Sequence, residues 1–111
     1  VEGLKNLNSY LTIPKYSKIN KPAFHLFMIN INVSRLKRNK DHFMNYLMKN
    51  NILSQQHYIP IYKFRVYKEN TSKYFGSEKF FKTTVSLPIF VNLNLKKQKK
   101  IITTIKKYFK N

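Results

Sequence analysis

FHLFMININV, residues 24–33, is the stretch from which the fold of the chain is read. Phe27, Ile29, Ile31 and Val33 recur at period two and share one face of a strand, whereas the other face begins apolar at Leu26 and Met28 and ends polar at Asn30 and Asn32. That pattern predicts a central strand with core along one whole side. His25 opens it among hydrophobic neighbours, a setting in which a lone histidine is more often structural than catalytic. Toward the N-terminus, Lys15 to Pro22 reads as a polar, basic loop with two prolines near its ends, Pro14 and Pro22. Tyr10 to Ile13 alternates for a short strand that Pro14 ends. Residues 1–9 read as the tail of an incoming connection.

Toward the C-terminus, Ser34 to Arg38 reads as a basic loop. Asn39 has the chemistry of a helix N-cap, and Asp41 falls in the first turn, toward the positive end of the helix dipole. Phe43, Met44, Leu47 and Met48 then repeat at helical spacing, with the methionines as core fillers. Asn50-Asn51 stops the helix, asparagine being the best residue after glycine for the left-handed position that follows one. Ile52 and Leu53 lead into a strand expected to reach Tyr58, with Leu53, Gln55 and His57 on one side. Pro60 ends it. Ile61 to Gly76 is a long loop for so small a fold. Ser77 is read as an N-cap with Glu78 in the first turn of a short helix that packs Phe80-Phe81 inward. Val85-Ser86-Leu87 is a last strand closed by Pro88, and Asn94 caps a final helix. On that helix Leu95, Ile101, Ile102, Ile105, Tyr108 and Phe109 face the core, and the lysines from Lys96 to Lys110 face solvent. The expected fold class is α/β (α+β): a two-layer sandwich in which a small, mainly antiparallel sheet of three to four strands carries helices on one face.

Composition limits the function. With 111 residues there is room for a single domain, 1–111, and a hydrophobic share of 42% with 15% aromatic residues argues for a folded chain. There is no cysteine, so thiolate chemistry, disulfides and cysteine-based zinc sites are excluded. The acids are Glu2, Asp41, Glu69 and Glu78, too dispersed in sequence to suggest a carboxylate pair, and with three histidines they make a poor metal set. No apolar run is long enough to span a bilayer. No charged leader followed by an apolar segment is visible from Val1, so a cytoplasmic location is expected, and a starting valine suggests that something was removed. The net charge of +18 raises an anionic partner, RNA or single-stranded DNA included. Yet only three of the 22 basic residues are arginine, and the wealth of Lys, Asn, Ile, Tyr and Phe is also what AT-rich coding produces. The basic amphipathic final helix also raises an anionic membrane surface, against the plainer reading of an outer helix with a solvated lysine face.

The least generic run is Gln56-His57-Tyr58-Ile59-Pro60-Ile61-Tyr62, followed by Phe64, Arg65 and Tyr67. It puts an imidazole, phenols and a guanidinium at a strand end and on the following loop, where a fold presents side chains to a ligand. On spacing alone the favoured reading is the plainer one, with His57 a satisfied structural histidine and the aromatics core.

Several separated pieces, in matching order and spacing, resemble the C-terminal small domain of the DegT-type, fold-type I pyridoxal-phosphate sugar-nucleotide aminotransferases. They are His25-Leu26-Phe27, Lys40-Asp41 through Leu47, Asn51-Ile52, His57-Tyr58-Ile59-Pro60-Ile61-Tyr62 with Tyr67, Ser77-Glu78, and Ser86-Leu87-Pro88-Ile89. The Tyr-Ile-Pro-Ile wording is nearest to members that make amino-dideoxy sugars on a UDP carrier. The sequence departs from the family pattern at Lys40 (usually Arg), Asn51 (Gly), Tyr62 (often a second His) and Arg65 (often Pro). The resemblance implies a domain of an enzyme that moves an amino group from an amino acid such as glutamate to a keto-sugar nucleotide for surface polysaccharides. It implies a homodimer, and a large N-terminal domain, absent here, that carries the Schiff-base lysine and most of the cofactor site. The chain is then expected to be inactive alone, with no catalytic residue of its own, no metal and no bound pyridoxal phosphate. His57, Tyr58, Tyr62 and Arg65 are the residues expected to face the substrate and cofactor pocket. The competing reading is a standalone basic module that binds RNA or single-stranded DNA.

Overall fold

The computed structural model describes residues 2–15, 19, 23–67 and 71–110. The central strand, β2 (Phe27–Ile31), is flanked by β1 (Leu11–Thr12) and β3 (Thr84–Leu87), antiparallel on both sides. Leu11 lies opposite Ile31, Ile29 opposite Val85, and Phe27 opposite Leu87, so direct cross-strand pairing gathers the apolar residues on one face. The strand is shorter than its sequence pattern. Phe24 takes a φ of 48°, a turn conformation that breaks pairing before Phe27. At the other end the Asn32 side chain accepts from the Arg35 backbone N–H at 3.2 Å and caps a one-turn helix, α1 (Val33–Leu36). The expected basic loop at Ser34 to Arg38 is therefore helical at its start, and Lys37 ends the turn at a φ of 52°. Of the expected loop from Lys15 to Pro22, residues 16–18 and 20–22 lie outside the described residues, as do residues 68–70 of the segment Ile61 to Gly76.

α2 (Lys40–Lys49) starts where its sequence indicates, with the Asn39 side chain accepting from the His42 backbone N–H at 2.9 Å. It ends in a Schellman turn. Asn51 sits at a φ of 58°, its N–H bonds the Met48 carbonyl, and the Ile52 N–H reaches back to the Leu47 carbonyl at 2.9 Å. Phe43 and Leu47, four residues apart, are fully buried. Met44 is half-buried and Met48 exposed, so Met48 is not the core filler its spacing suggested: the buried stripe runs through Lys40, Phe43 and Leu47 and leaves Met48 off it.

α3 (Phe75–Thr83) begins two residues before the expected cap at Ser77, because the 3-10 turn Thr71–Tyr74 runs straight into it. Phe80 is exposed and Phe81 only half-buried, so that pair does not pack inward as expected. Phe81 instead meets cations: the Lys40 ammonium lies 4.6 Å from its ring centre and donates to its carbonyl, one of those left open at the helix end. Lys40 is buried, and burial lowers its pKa, partly offset by Asp41.

α4 (Leu95–Lys110) completes the layer over the apolar face. Asn94 accepts from the Lys97 N–H at 2.9 Å, and Ile105, Tyr108 and Phe109 are buried in the core with Phe43. Tyr108 meets Phe43 edge-on at 4.9 Å between ring centres, and Tyr10 stacks on Phe109 at 5.5 Å. The Tyr108 hydroxyl lies 2.9 Å from His42 Nδ1; burial pushes this phenol's pKa up, against the nearby Arg38 guanidinium. Leu95, assigned to the core by periodicity, is exposed, because the buried stretch begins only at Ile101. Residues 2–7 form a 3-10 helix rather than a trailing connection. It buries Leu4 and Leu7 and rests on α4, where a side chain on Gly3 would come within 2.6 Å of Ile102 Cδ1.

Candidate ligand groove

The strand expected from Ile52 to Tyr58 is reduced to one residue pair. Gln55 and Ser86 exchange both backbone hydrogen bonds, at 3.0 and 2.8 Å, and the chain then leaves the edge of β3. The single bridge suffices to fix His57. Ser86 points away from the face that holds Val85 and Leu87, as strand alternation requires, and its hydroxyl lies 2.8 Å from His57 Nδ1. Ser86 is buried and the imidazole half-buried. When the serine hydroxyl donates to Nδ1, the ring proton resides on Nε2 and makes that atom a donor. Tyr58 packs edge-on against the imidazole at 4.8 Å while remaining largely exposed.

His57 and Ser86 line an open groove of about 630 Å³, within the size range of small-molecule sites. Gln55 and His25 line the same groove, Phe90 and Leu93 supply apolar surface, and α4 contributes Lys97 and Lys100. Of the four residues singled out in sequence, the structure puts only His57 in this groove. Tyr62 is buried elsewhere: its hydroxyl donates to Glu78 Oε1 at 2.9 Å and its ring stacks on Tyr74 at 4.5 Å. Lys63 Nζ joins the same carboxylate at 2.8 Å. The Lys63 ammonium and the Tyr62 hydroxyl hold the Glu78 carboxyl below its ordinary pKa. Arg65, in a 3-10 turn (Arg65–Tyr67), is exposed and outside the groove.

Sequence reasoning gave Ser86, Glu78, Lys97 and Lys100 no part in a site. Alternation along Val85-Ser86-Leu87 already places Ser86 on the side opposite Val85 and Leu87. Among the described residues no group of three His, Asp or Glu side chains is placed to hold a metal ion, and no helix is long and apolar enough to cross a membrane.

A three-stranded antiparallel sheet, helices over its apolar face and a histidine-bearing segment along its edge define a small two-layer α/β domain of the aminotransferase type. The chain belongs to the DegT/DnrJ/EryC1/StrS aminotransferase family, whose profile matches residues 1–106. An uncharacterised protein of Methanocaldococcus jannaschii is 30% identical over 110 residues, 96% of this chain and 28% of that protein. The UDP-4-amino-4,6-dideoxy-N-acetyl-beta-L-altrosamine transaminase of Helicobacter pylori is 37% identical over 67 residues, 59% of this chain and 18% of the enzyme. Among solved structures, Helicobacter pylori PseC, an aminotransferase involved in the biosynthesis of pseudoaminic acid, superimposes with a TM-score of 0.78 at 28% identity, covering 98% of this chain and 29% of PseC. The chain thus spans less than a third of the length of these relatives.

Aminotransferases of this family bind pyridoxal phosphate, as the solved PLP form of Spr1654 from Streptococcus pneumoniae shows. Two charged side chains of the described residues are already engaged and not open to hold that group: Lys40 has its ammonium on the Phe81 carbonyl and ring, and Glu78 is taken up by Tyr62 and Lys63.

Proposed function

We propose that this chain is the C-terminal small domain of a pyridoxal-phosphate-dependent aminotransferase. The complete enzyme transfers an amino group from glutamate to a UDP-linked keto-sugar for surface polysaccharide biosynthesis, as a cytoplasmic homodimer. The cofactor and the chemistry that it supplies, an electron sink for amino-group transfer, belong to a large domain, and this chain is inactive alone. The observation that carries the reading is His57, fixed by Ser86 at 2.8 Å on the wall of an open groove in a chain of this family. Likeness to a transaminase of a UDP-linked dideoxy sugar supports the carrier.

In this role His57 orients the sugar nucleotide through Nε2, with Tyr58 beside it and exposed. Tyr62 and Arg65 enter the pocket's definition differently. Tyr62 positions the segment through Glu78, and Arg65 is an exposed cation that can meet a phosphate. In the complete enzyme, His57→Asn raises KM for the sugar nucleotide or lowers turnover by at least about tenfold. Unchanged kinetics overturn the assignment of His57.

A further inference from the structure

The groove that holds His57 includes a stretch of α4 for which the reading above has no use. Lys97 and Lys100 stand there, three residues apart and so on one side of the helix. Like charges on neighbouring helix positions repel one another mildly. None of the described residues that line the groove is acidic, whereas the Lys63 ammonium, in the other cluster, does have a carboxylate. Phe90 borders these lysines, its ring centre 5.9 Å from Lys97 Nζ, and Leu93 extends the apolar surface. Cations, imidazoles and an apolar floor thus meet in one concavity of about 630 Å³.

We infer that this groove binds the diphosphate of a nucleotide, with Lys97 and Lys100 as its cationic contacts and Phe90 and Leu93 beneath its uncharged part. Two ammonium groups on neighbouring helix positions match two adjacent anionic centres, and charge-assisted hydrogen bonds to phosphate are among the stronger polar contacts. The inference rests on the proposed handling of a sugar nucleotide and deepens it by naming the groups that meet its diphosphate.

The test is a titration of the 111-residue chain, labelled with nitrogen-15, with UDP, inorganic pyrophosphate, uridine and pyridoxal phosphate in turn. UDP and pyrophosphate are expected to shift the amides of Gln55, Ser86, Lys97 and Lys100, and uridine to leave them in place. Lys97→Gln with Lys100→Gln weakens UDP binding by about tenfold or more, the loss expected for two charge-assisted contacts. Lys106→Gln with Lys107→Gln removes the same charge further along α4 and changes it less than about twofold. Equal weakening by the two pairs would mean diffuse attraction to a basic chain and overturns the site. Shifts that map elsewhere, or pyridoxal phosphate binding at these amides more tightly than UDP, also overturn it. The two readings fail separately: loss of UDP binding in the Lys97/Lys100 pair with His57→Asn kinetically silent removes the role of His57 and keeps the groove. The converse removes the lysine contacts and keeps His57.

Discussion

α4 and the segment from Tyr58 to Phe75 both mix branched, aromatic and basic residues, yet they end in opposite places. Ile105, Tyr108 and Phe109 of α4 are at most 5% exposed, whereas Tyr58 is 73% exposed, Val66 85% and Phe75 77%. The difference is periodicity. Along α4 from Ile101 onward, positions three and four apart stack into one stripe, and the stripe meets the apolar face of the sheet. Among the described residues between Tyr58 and Phe75, Pro60 and short 3-10 turns reset the direction of the chain every few residues, so that no stripe forms there. Composition supplies apolar area; regular repetition decides whether that area can be buried in one place.

The largest effect expected from this contrast is at Ile105. Ile105→Ala removes a fully buried side chain and costs about 2–5 kcal/mol, whereas Val66→Ala changes stability by less than about 0.5 kcal/mol. Urea denaturation of the two variants checks it, and equal midpoints would break the comparison.

A smaller effect tests how the core layer is tied to α3, the helix that follows the irregular segment. Lys40→Met leaves the Phe81 carbonyl without its donor and costs about 1–3 kcal/mol. The pH profile carries the sign. Burial lowers the folded-state pKa of Lys40, so between that value and the unfolded value of about 10.4 the unfolded state holds more protons. Stability therefore gains a rising contribution with pH across that window, a contribution that Lys40→Met abolishes. Denaturation midpoints measured from neutral to alkaline pH give the difference between the two proteins. Taking that difference cancels the opposing, falling contribution of Tyr108, which both proteins share.

The smallest effect is expected at Tyr62, an aromatic residue of the irregular segment that is nonetheless buried. Tyr62→Phe keeps the ring stacked on Tyr74 and removes only the hydrogen bond to Glu78, a loss of about 1 kcal/mol. The segment should then exchange its backbone amides faster while α4 is unchanged, as hydrogen exchange would show. Equal acceleration in both would mean that the two regions open as one unit.

Much of the packed layer was legible because its signals are local. Asn39 and Asn94 cap the helices their positions indicate, Asn51 takes the left-handed turn, and alternation finds Ile29 and Ile31. What misled were positions whose period is right but whose place lies off or beyond the packed stripe, Met48 and Leu95. The groove was legible only at His57. Its partner Ser86 is 29 residues away and is brought near by a single bridge at Gln55, and Tyr62 meets Glu78 across an irregular path of 16 residues. Neither pairing leaves a periodic trace, because periodicity records which way a side chain faces and not which distant residue it meets.

The 3-10 turn at residues 2–7 has a kinetic consequence. Leu4 and Leu7 complete the core by resting on α4, so the contact joins the first and last described elements of the chain. Closing so long a loop is entropically opposed until the intervening sheet and α2 have shortened the path. That turn is therefore expected to gain amide protection last during refolding, on a surface already assembled, and Gly3 keeps the landing place clear by having nothing to strike Ile102.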